Sequence, residues 1–418
     1  MSQTIDLAAA VSATFNGTDL SEIKLNSASC WTKPSTGFSA TFVARAQPTE
    51  VSLTIEDSWF AMNTAVSGDI IVAGSGFDFP SFYIYNTSGV LLHDVDSPAS
   101  VPHNYFGNSV AIEGDIIVVG SPYENVNGYG TKGGFYIYNT SGTLLNSIQT
   151  VPFWIPYGRN FGGTVAITGS TIVIGASGYS SSLTGNSTAN VGWIFIYNTS
   201  GVLQQSIRSP NPQYNGTFGT RMAASGDRIV VGQPKHNYSN AGEFWIFNLA
   251  GAQIAHITNP NSPALVNFGY YVAISDDYVI VGAAYYSSQP PCSGGYFVYD
   301  TNGVFLFKIS QTVEQGYISC GFGKDRIAAW GKYLVVGSIY ADPTTPGDYF
   351  EDGGAWIYDL SDGGALVHSL VSESGGPVAN GQGFGAGVSI GDDIVVITEN
   401  IDTTSSPLYK HQYINIYK

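Results

Sequence analysis

The chain is 418 residues long, enough for one large repeat domain or two to three ordinary ones with a sizeable core. Its 51 Gly, 27 Tyr and 22 Phe, against only 11% charged residues, suit many short strands joined by tight turns and argue against a helical bundle. A formal net charge of -16 with no cluster of Lys or Arg argues against nucleic acid and anionic lipid as partners, and no window approaches the ~20 apolar residues of a membrane span.

From the N-terminus, "MSQTIDLAAAVSATF" carries neither a basic n-region nor a sustained apolar stretch, so no Sec-type signal peptide is expected. The next segment, "AAAVSATFNGTDLSEIKLNSASCW" (Ala8–Trp31), stands apart from the rest of the chain. It resembles a short module of structural proteins from tailed bacteriophages, marine ones especially, although "NSASCW" departs from that pattern before Trp31. The resemblance implies an N-terminal β module over residues 1–45 that attaches to other virion proteins in a multi-copy assembly. It implies synthesis in the host cytoplasm and residence in the virion.

Residues 46–418 are expected to form one repeat domain. "EVSLTIEDS" (Glu50–Ser58) reads as an orphan strand. After it a unit of about 50–60 residues recurs. Its second copy opens with Phe106-Gly107, continues as "NSVAI", turns at "EGD" and runs "IIVVG" to Gly120. It then crosses a variable segment and closes with "FYIY", the "NTSG" turn and "TLLNSI". The Phe-Gly opening returns at Phe161, Phe218, Phe268, Phe322 and Phe384, with Trp59-Phe60 in its place in the first copy. The aromatic strand ends at Tyr85, Tyr138, Tyr197, Phe247, Tyr299, Tyr358 and Tyr417, so both markers give seven units.

Four strands repeated seven times predict an all-β, seven-bladed β-propeller. The last copy ends at "YINIYK" without a fourth strand, so an N-terminal strand, read here as Glu50–Ser58, is expected to complete it and close the ring. Runs such as "IIVVG" and "RIVVG" suit strands buried on both faces. Fourth strands bearing His93, Asp94, His256, Lys308 and His368 suit an outer polar edge. The sequons at Asn86, Asn139 and Asn198 read as hairpin turns, because Asn bonds its own backbone and Gly accepts positive φ.

The combination "FG..VAI.GD.IVVG...G.FYIY" resembles the FG-GAP repeat of integrin-α-type propellers, over about residues 59–417. Some members of that family hold calcium between the first two strands of a blade. Here that connection is as short as "EGD" or "TGS", too few oxygens for the six to eight a calcium ion takes, and no metal or cofactor is expected.

In such a meander every long, variable connection emerges on one face, where recognition is normally built. Amphipathic aromatics concentrate there: Tyr123, Tyr129, Trp154, Tyr157, Tyr179, Tyr238, Tyr285, Tyr286 and Tyr340, read as candidate ligand-binding residues for a host surface glycan or protein. The acids of that face, Asp78, Glu124, Asp342, Asp348, Glu351 and Asp352, form no recurring pair of the kind glycosidases use. His103 and His236 lie in no catalytic motif. Cys30, Cys292 and Cys320 form no CxxC pair, and free thiols are the default, with pairing of Cys292 and Cys320 left open.

The reading is a non-enzymatic virion structural protein, whether of tail, fibre or surface. Its alternatives are a propeller enzyme degrading host surface polysaccharide and a cellular FG-GAP adhesin.

Overall fold

The computed structural model describes residues 13–15, 18–20, 22–25, 28–32, 40–46, 60–76, 80–99, 104–124, 133–149, 160–178, 191–212, 217–234, 242–260, 265–285, 294–310, 326–338, 353–371, 383–402 and 410–418. The chain divides into two units, one of Met1–Thr41 with Lys418 and one of Phe42–Tyr417. The smaller unit carries two antiparallel hairpins, Ala13–Phe15 with Thr18–Leu20 and Glu22–Leu25 with Ala28–Thr32, the second containing Cys30.

The larger unit is a seven-bladed β-propeller whose blades are antiparallel sheets. Blade 2 shows the plan: Ser109–Glu113, Ile116–Ser121, Gly134–Asn139 and Leu144–Ile148, paired in chain order. The blades begin with Phe60–Ser67, Ser109–Glu113, Phe161–Thr168, Arg221–Ser225, Val272–Ile274, Arg326–Trp330 and Phe384–Gly391. Each of these first strands lies against the next, and the seventh lies against the first, so they line a central channel.

Second and third strands are apolar on both faces, and both faces are buried. Ile117, Val118 and Val119 are inaccessible to solvent, as are Phe135 and Ile137 across from them. Among the described residues the Phe of the Phe-Gly motif packs at the seam between two blades. Phe161 meets Phe135 of blade 2 at 5.8 Å and Phe195 of its own blade at 5.3 Å. Phe218 and Phe268 make the same kind of edge-to-face contacts one and two blades further on.

The glycine late in the second strand of blades 1, 2, 3, 4 and 6 has a steric reason. A Cβ on Gly120 would lie 2.0 Å from the carbonyl oxygen of Gly162, and one on Gly74 would lie 2.0 Å from that of Gly107. The Phe-Gly backbone of the next blade occupies the space a side chain would need.

The hairpin turns behave as their sequence reads. Asn86 Oδ1 accepts from the N–H groups of Ser88 and Val90 at 3.0 and 2.9 Å, and Asn198 repeats this with Ser200 and Val202. Gly142 at φ +73° rests on His93 and Val95 of the preceding blade's outer strand, so the turn also braces its neighbour. The outer strands are less polar than expected. His93 and Asp94 are exposed, but Leu92, Leu144, Leu145, Phe305 and Leu306 are exposed beside them.

An N-terminal strand closes the ring, but the strand is Phe42–Ala46 and not Glu50–Ser58, which lies outside the described residues. It pairs with the strand Lys410–Tyr417, matching Ala46 with Ile414, Arg45 with Asn415 and Ala44 with Ile416. Alternation points to Glu50–Ser58, whereas Phe42–Ala46 reads Phe-Val-Ala-Arg-Ala, with a single polar residue, and does not alternate. Arg45 of the closing strand forms an ion pair with the buried Glu399 and donates from Nε to Asn415 Oδ1 at 3.0 Å. Its guanidinium also lies 4.4 Å from the ring centre of Tyr413. Asn415 Nδ2 donates to the same Glu399 carboxylate at 3.0 Å, so the acid is satisfied inside the last blade.

Candidate functional site: the loop-side mouth of the channel

The two ends of the channel are built from different parts of the repeat. One mouth, of about 570 Å³, is lined by the turns between first and second strands, including Glu113, Gly169, Gly226, Asp276 and Asp392. These turns hold two residues each, such as Gly114-Asp115 between the paired Glu113 and Ile116. They are stitched blade to blade. Gly68 N–H donates to Asp392 at 3.0 Å, Gly114 N–H to Ser67 Oγ at 3.1 Å and Gly169 N–H to Glu113 at 2.8 Å. The carboxylates at this end therefore serve the ring.

The other mouth, of about 580 Å³, gathers the roots of the long connections. Gly76, Pro122 and Ser177 follow second strands, and Tyr105 and Asn160 precede first strands. Inside it stand side chains from a register position repeated in blades 1 to 6, the residue facing the second-strand glycine. That position pairs Asn63 with Gly74, Ser109 with Gly120, Thr164 with Gly175, Arg221 with Gly232 and Arg326 with Gly337. In blade 5 Tyr271 occupies it and accepts the Gly282 N–H at 2.9 Å.

These side chains form a partial belt. Arg326 donates from Nη1 to Asn63 Oδ1 at 3.0 Å, and Asn63 Nδ2 donates to the carbonyl of Asn108. Thr164 Oγ1 donates to the Thr220 carbonyl at 2.7 Å. The guanidinium of Arg221 lies over the rings of Tyr271 and Tyr270, 4.9 and 5.6 Å from their centres, and its Nε is buried with no acceptor. Among the described residues neither arginine meets a carboxylate, and no acid lines this mouth. Burial pushes the Arg326 guanidinium below its ordinary range; the Tyr271 and Tyr270 rings oppose that push, and the charge of Arg221 adds to it.

Of the aromatics expected to bind, Tyr123 is described. It is 39% exposed at this mouth, and its ring centre lies 4.6 Å from that of Tyr105. Tyr285 ends the strand Tyr278–Tyr285, paired with Leu265. Tyr129, Trp154, Tyr157, Tyr179, Tyr238, Tyr286 and Tyr340 lie outside the described residues, as do Asp78, His103, His236, Cys292, Cys320, Asp342, Asp348, Glu351 and Asp352.

Glu124 proves to be a structural acid. It is 3% exposed and accepts from Tyr136 Oη at 2.6 Å and from Gln149 Nε2 at 2.7 Å, and burial pushes its pKa up. Among the described residues no three His, Cys, Asp or Glu side chains are grouped to hold a metal ion.

The arginines, Asn63 and Tyr271 stand at the inner ends of the blades, not on the variable loops where the sequence places recognition. Their signal was present: three residues after the motif's Phe stand Asn63, Ser109, Thr164, Arg221 and Tyr271. Blade 6 breaks the spacing by one residue, placing Asp325 third and Arg326 fourth, and only the strand register assigns the position to Arg326.

Residues 100–138 and 252–299 match the family model of the FG-GAP repeat. Each match ends on a third strand, Gly134–Asn139 of blade 2 and Gly295–Asp300 of blade 5, after crossing that blade's first two strands. Neither match reaches the N-terminal segment. No curated protein matches the chain. Among solved structures the chain is similar to BamB from Moraxella catarrhalis, at 12% identity and a TM-score of 0.39, over 86% of this chain and 83% of that one. A likeness of that size carries no argument here.

Proposed function

We propose that the protein is a non-enzymatic binding component of a tailed-phage particle. Residues 1 to about 40 attach it to other virion proteins, and the loop-bearing face of the propeller engages a molecule of the host surface. One observation carries this reading: a closed ring sends its tight turns to one mouth and the roots of its long connections to the other, a rigid scaffold with one face given over to variable segments. The FG-GAP matches support a binding or adhesin-like role. The phage assignment rests on the resemblance of Ala8–Trp31. Several copies on one particle would make weak single contacts sufficient.

Labelled full-length protein should remain bound to host cells while releasing no soluble saccharide from capsule or lipopolysaccharide; release of oligosaccharide would overturn the non-enzymatic reading. A chain lacking residues 1–40 keeps Phe42–Ala46 and therefore the closed ring. It should fold and yet fail to enter particles, and its incorporation would sink the anchor assignment.

A further inference from the structure

The two mouths treat charge in opposite ways. At the turn side, Glu113 and Asp392 are bonded to backbone N–H groups of neighbouring blades. At the loop side, Arg221 and Arg326 share one cavity, and each is left with weak or neutral partners. Arg326 has the amide oxygen of Asn63, and Arg221 has its neighbour's carbonyl, Thr220 O, at 3.5 Å and the faces of Tyr271 and Tyr270. The chain holds 31 Asp and Glu against 15 Lys and Arg, so acids to neutralise two arginines were plentiful in composition. None lines this mouth among the described residues.

Two half-buried guanidinium groups near one another repel, and each has lost part of its hydration. A buried donor without an acceptor costs about 1–3 kcal/mol, more when charged, and the Arg221 Nε is such a donor. The arrangement is relieved by an anion between them, and the planar fork of arginine matches a carboxylate or phosphate. The rest of the lining is neutral and rich in hydroxyls and amides, as at Asn108, Thr164 and Thr220, with Tyr123 at the rim. Those groups suit sugar hydroxyls and the face of a pyranose ring. A cavity of about 580 Å³ has room for one or two sugar units.

We propose that the loop-side mouth of the channel binds an acidic sugar, its carboxylate held between Arg221 and Arg326. The proposal deepens the reading of this face as the host-binding face and rests on it for the source of the glycan. The shared chemistry is that of an oxyanion, so inorganic phosphate is the competing ligand.

The test is calorimetric titration of the full-length protein with sodium glucuronate, with glucuronate methyl ester as an uncharged control and with inorganic phosphate. Glucuronate should bind at least tenfold more tightly than its ester and than phosphate. Arg221→Met and Arg326→Met should each weaken it at least tenfold. Arg326→Lys, which keeps the charge and loses the fork, should weaken it too, and remains informative if a Met variant does not fold. Absence of glucuronate binding, equal binding of the ester, or indifference to all three substitutions overturns the site. Phosphate binding as tightly as glucuronate overturns the sugar assignment. If glucuronate fails while host cells still bind the protein, this inference falls and the wider reading stands.

Discussion

Glu124 shows how one residue's role is decided by its surroundings. A carboxylate on the loop side of a propeller is a reasonable catalytic candidate until Tyr136 and Gln149 are found donating to it in a buried site. Burial raises its folded pKa above the ordinary value. Between those two values the folded chain holds a proton that the unfolded chain has released, so its contribution to stability is present at low pH and lost as pH rises. Glu124→Gln does not titrate. Its melting temperature should therefore gain on that of the parent between about pH 4 and pH 8, read by thermal unfolding at each pH. A gap that stays flat or closes would mean that Glu124 is not held in its protonated form.

At the scale of the element, the repeat is best understood as a device for seams. The motif's Phe lies between the third strands of two blades, and its Gly backbone fills the space opposite the second-strand glycine of the preceding blade. The hairpin turn leans on the neighbour's outer strand. Each part of the consensus thus touches a second copy, which explains why the copies keep the same residues while their connections vary. Phe161 is fully buried at such a seam. Phe161→Ala should cost about 3–5 kcal/mol in urea unfolding. A loss below about 1 kcal/mol would show that the seam can collapse around the gap.

The whole molecule depends on ring closure, since a propeller left open would expose the unpaired edge of its last blade. Closure by Phe42–Ala46 places Arg45 on Glu399, which is 2% exposed. Arg45→Ala would remove the guanidinium paired with that carboxylate and should destabilise the protein by about 3 kcal/mol, measured by denaturant unfolding. A change of under about 0.5 kcal/mol, the scale of an ordinary surface substitution, would mean the closing strand is held by its backbone and alanines. Closure also gives the channel two unlike ends. Both belong to one closed ring, so the acids of one mouth and the arginines of the other are held at opposite ends of the same channel.

Much of this was legible before any coordinates. The count of seven, the buried second strands, the Asn-Gly turns and the need for an N-terminal closing strand all follow from short-range patterns repeated along the chain. Repetition makes such patterns readable, because an accident in one copy is outvoted by the others. Which segment closes the ring was not legible: Phe42–Ala46 lacks the alternation that marks Glu50–Ser58, and the pairing of Arg45 with Glu399 joins residues more than 350 positions apart. The basic mouth was hidden for the same reason. Arg221 and Arg326 lie in blades 4 and 6, separated by a full blade and by a one-residue shift in spacing, and only the curvature of the ring brings them to one cavity. Local sequence determined the blade, because strands and turns answer to neighbouring residues. Tertiary structure alone decided the seam that closes it and the site at its centre, because both are made by residues that meet only when the circle is complete.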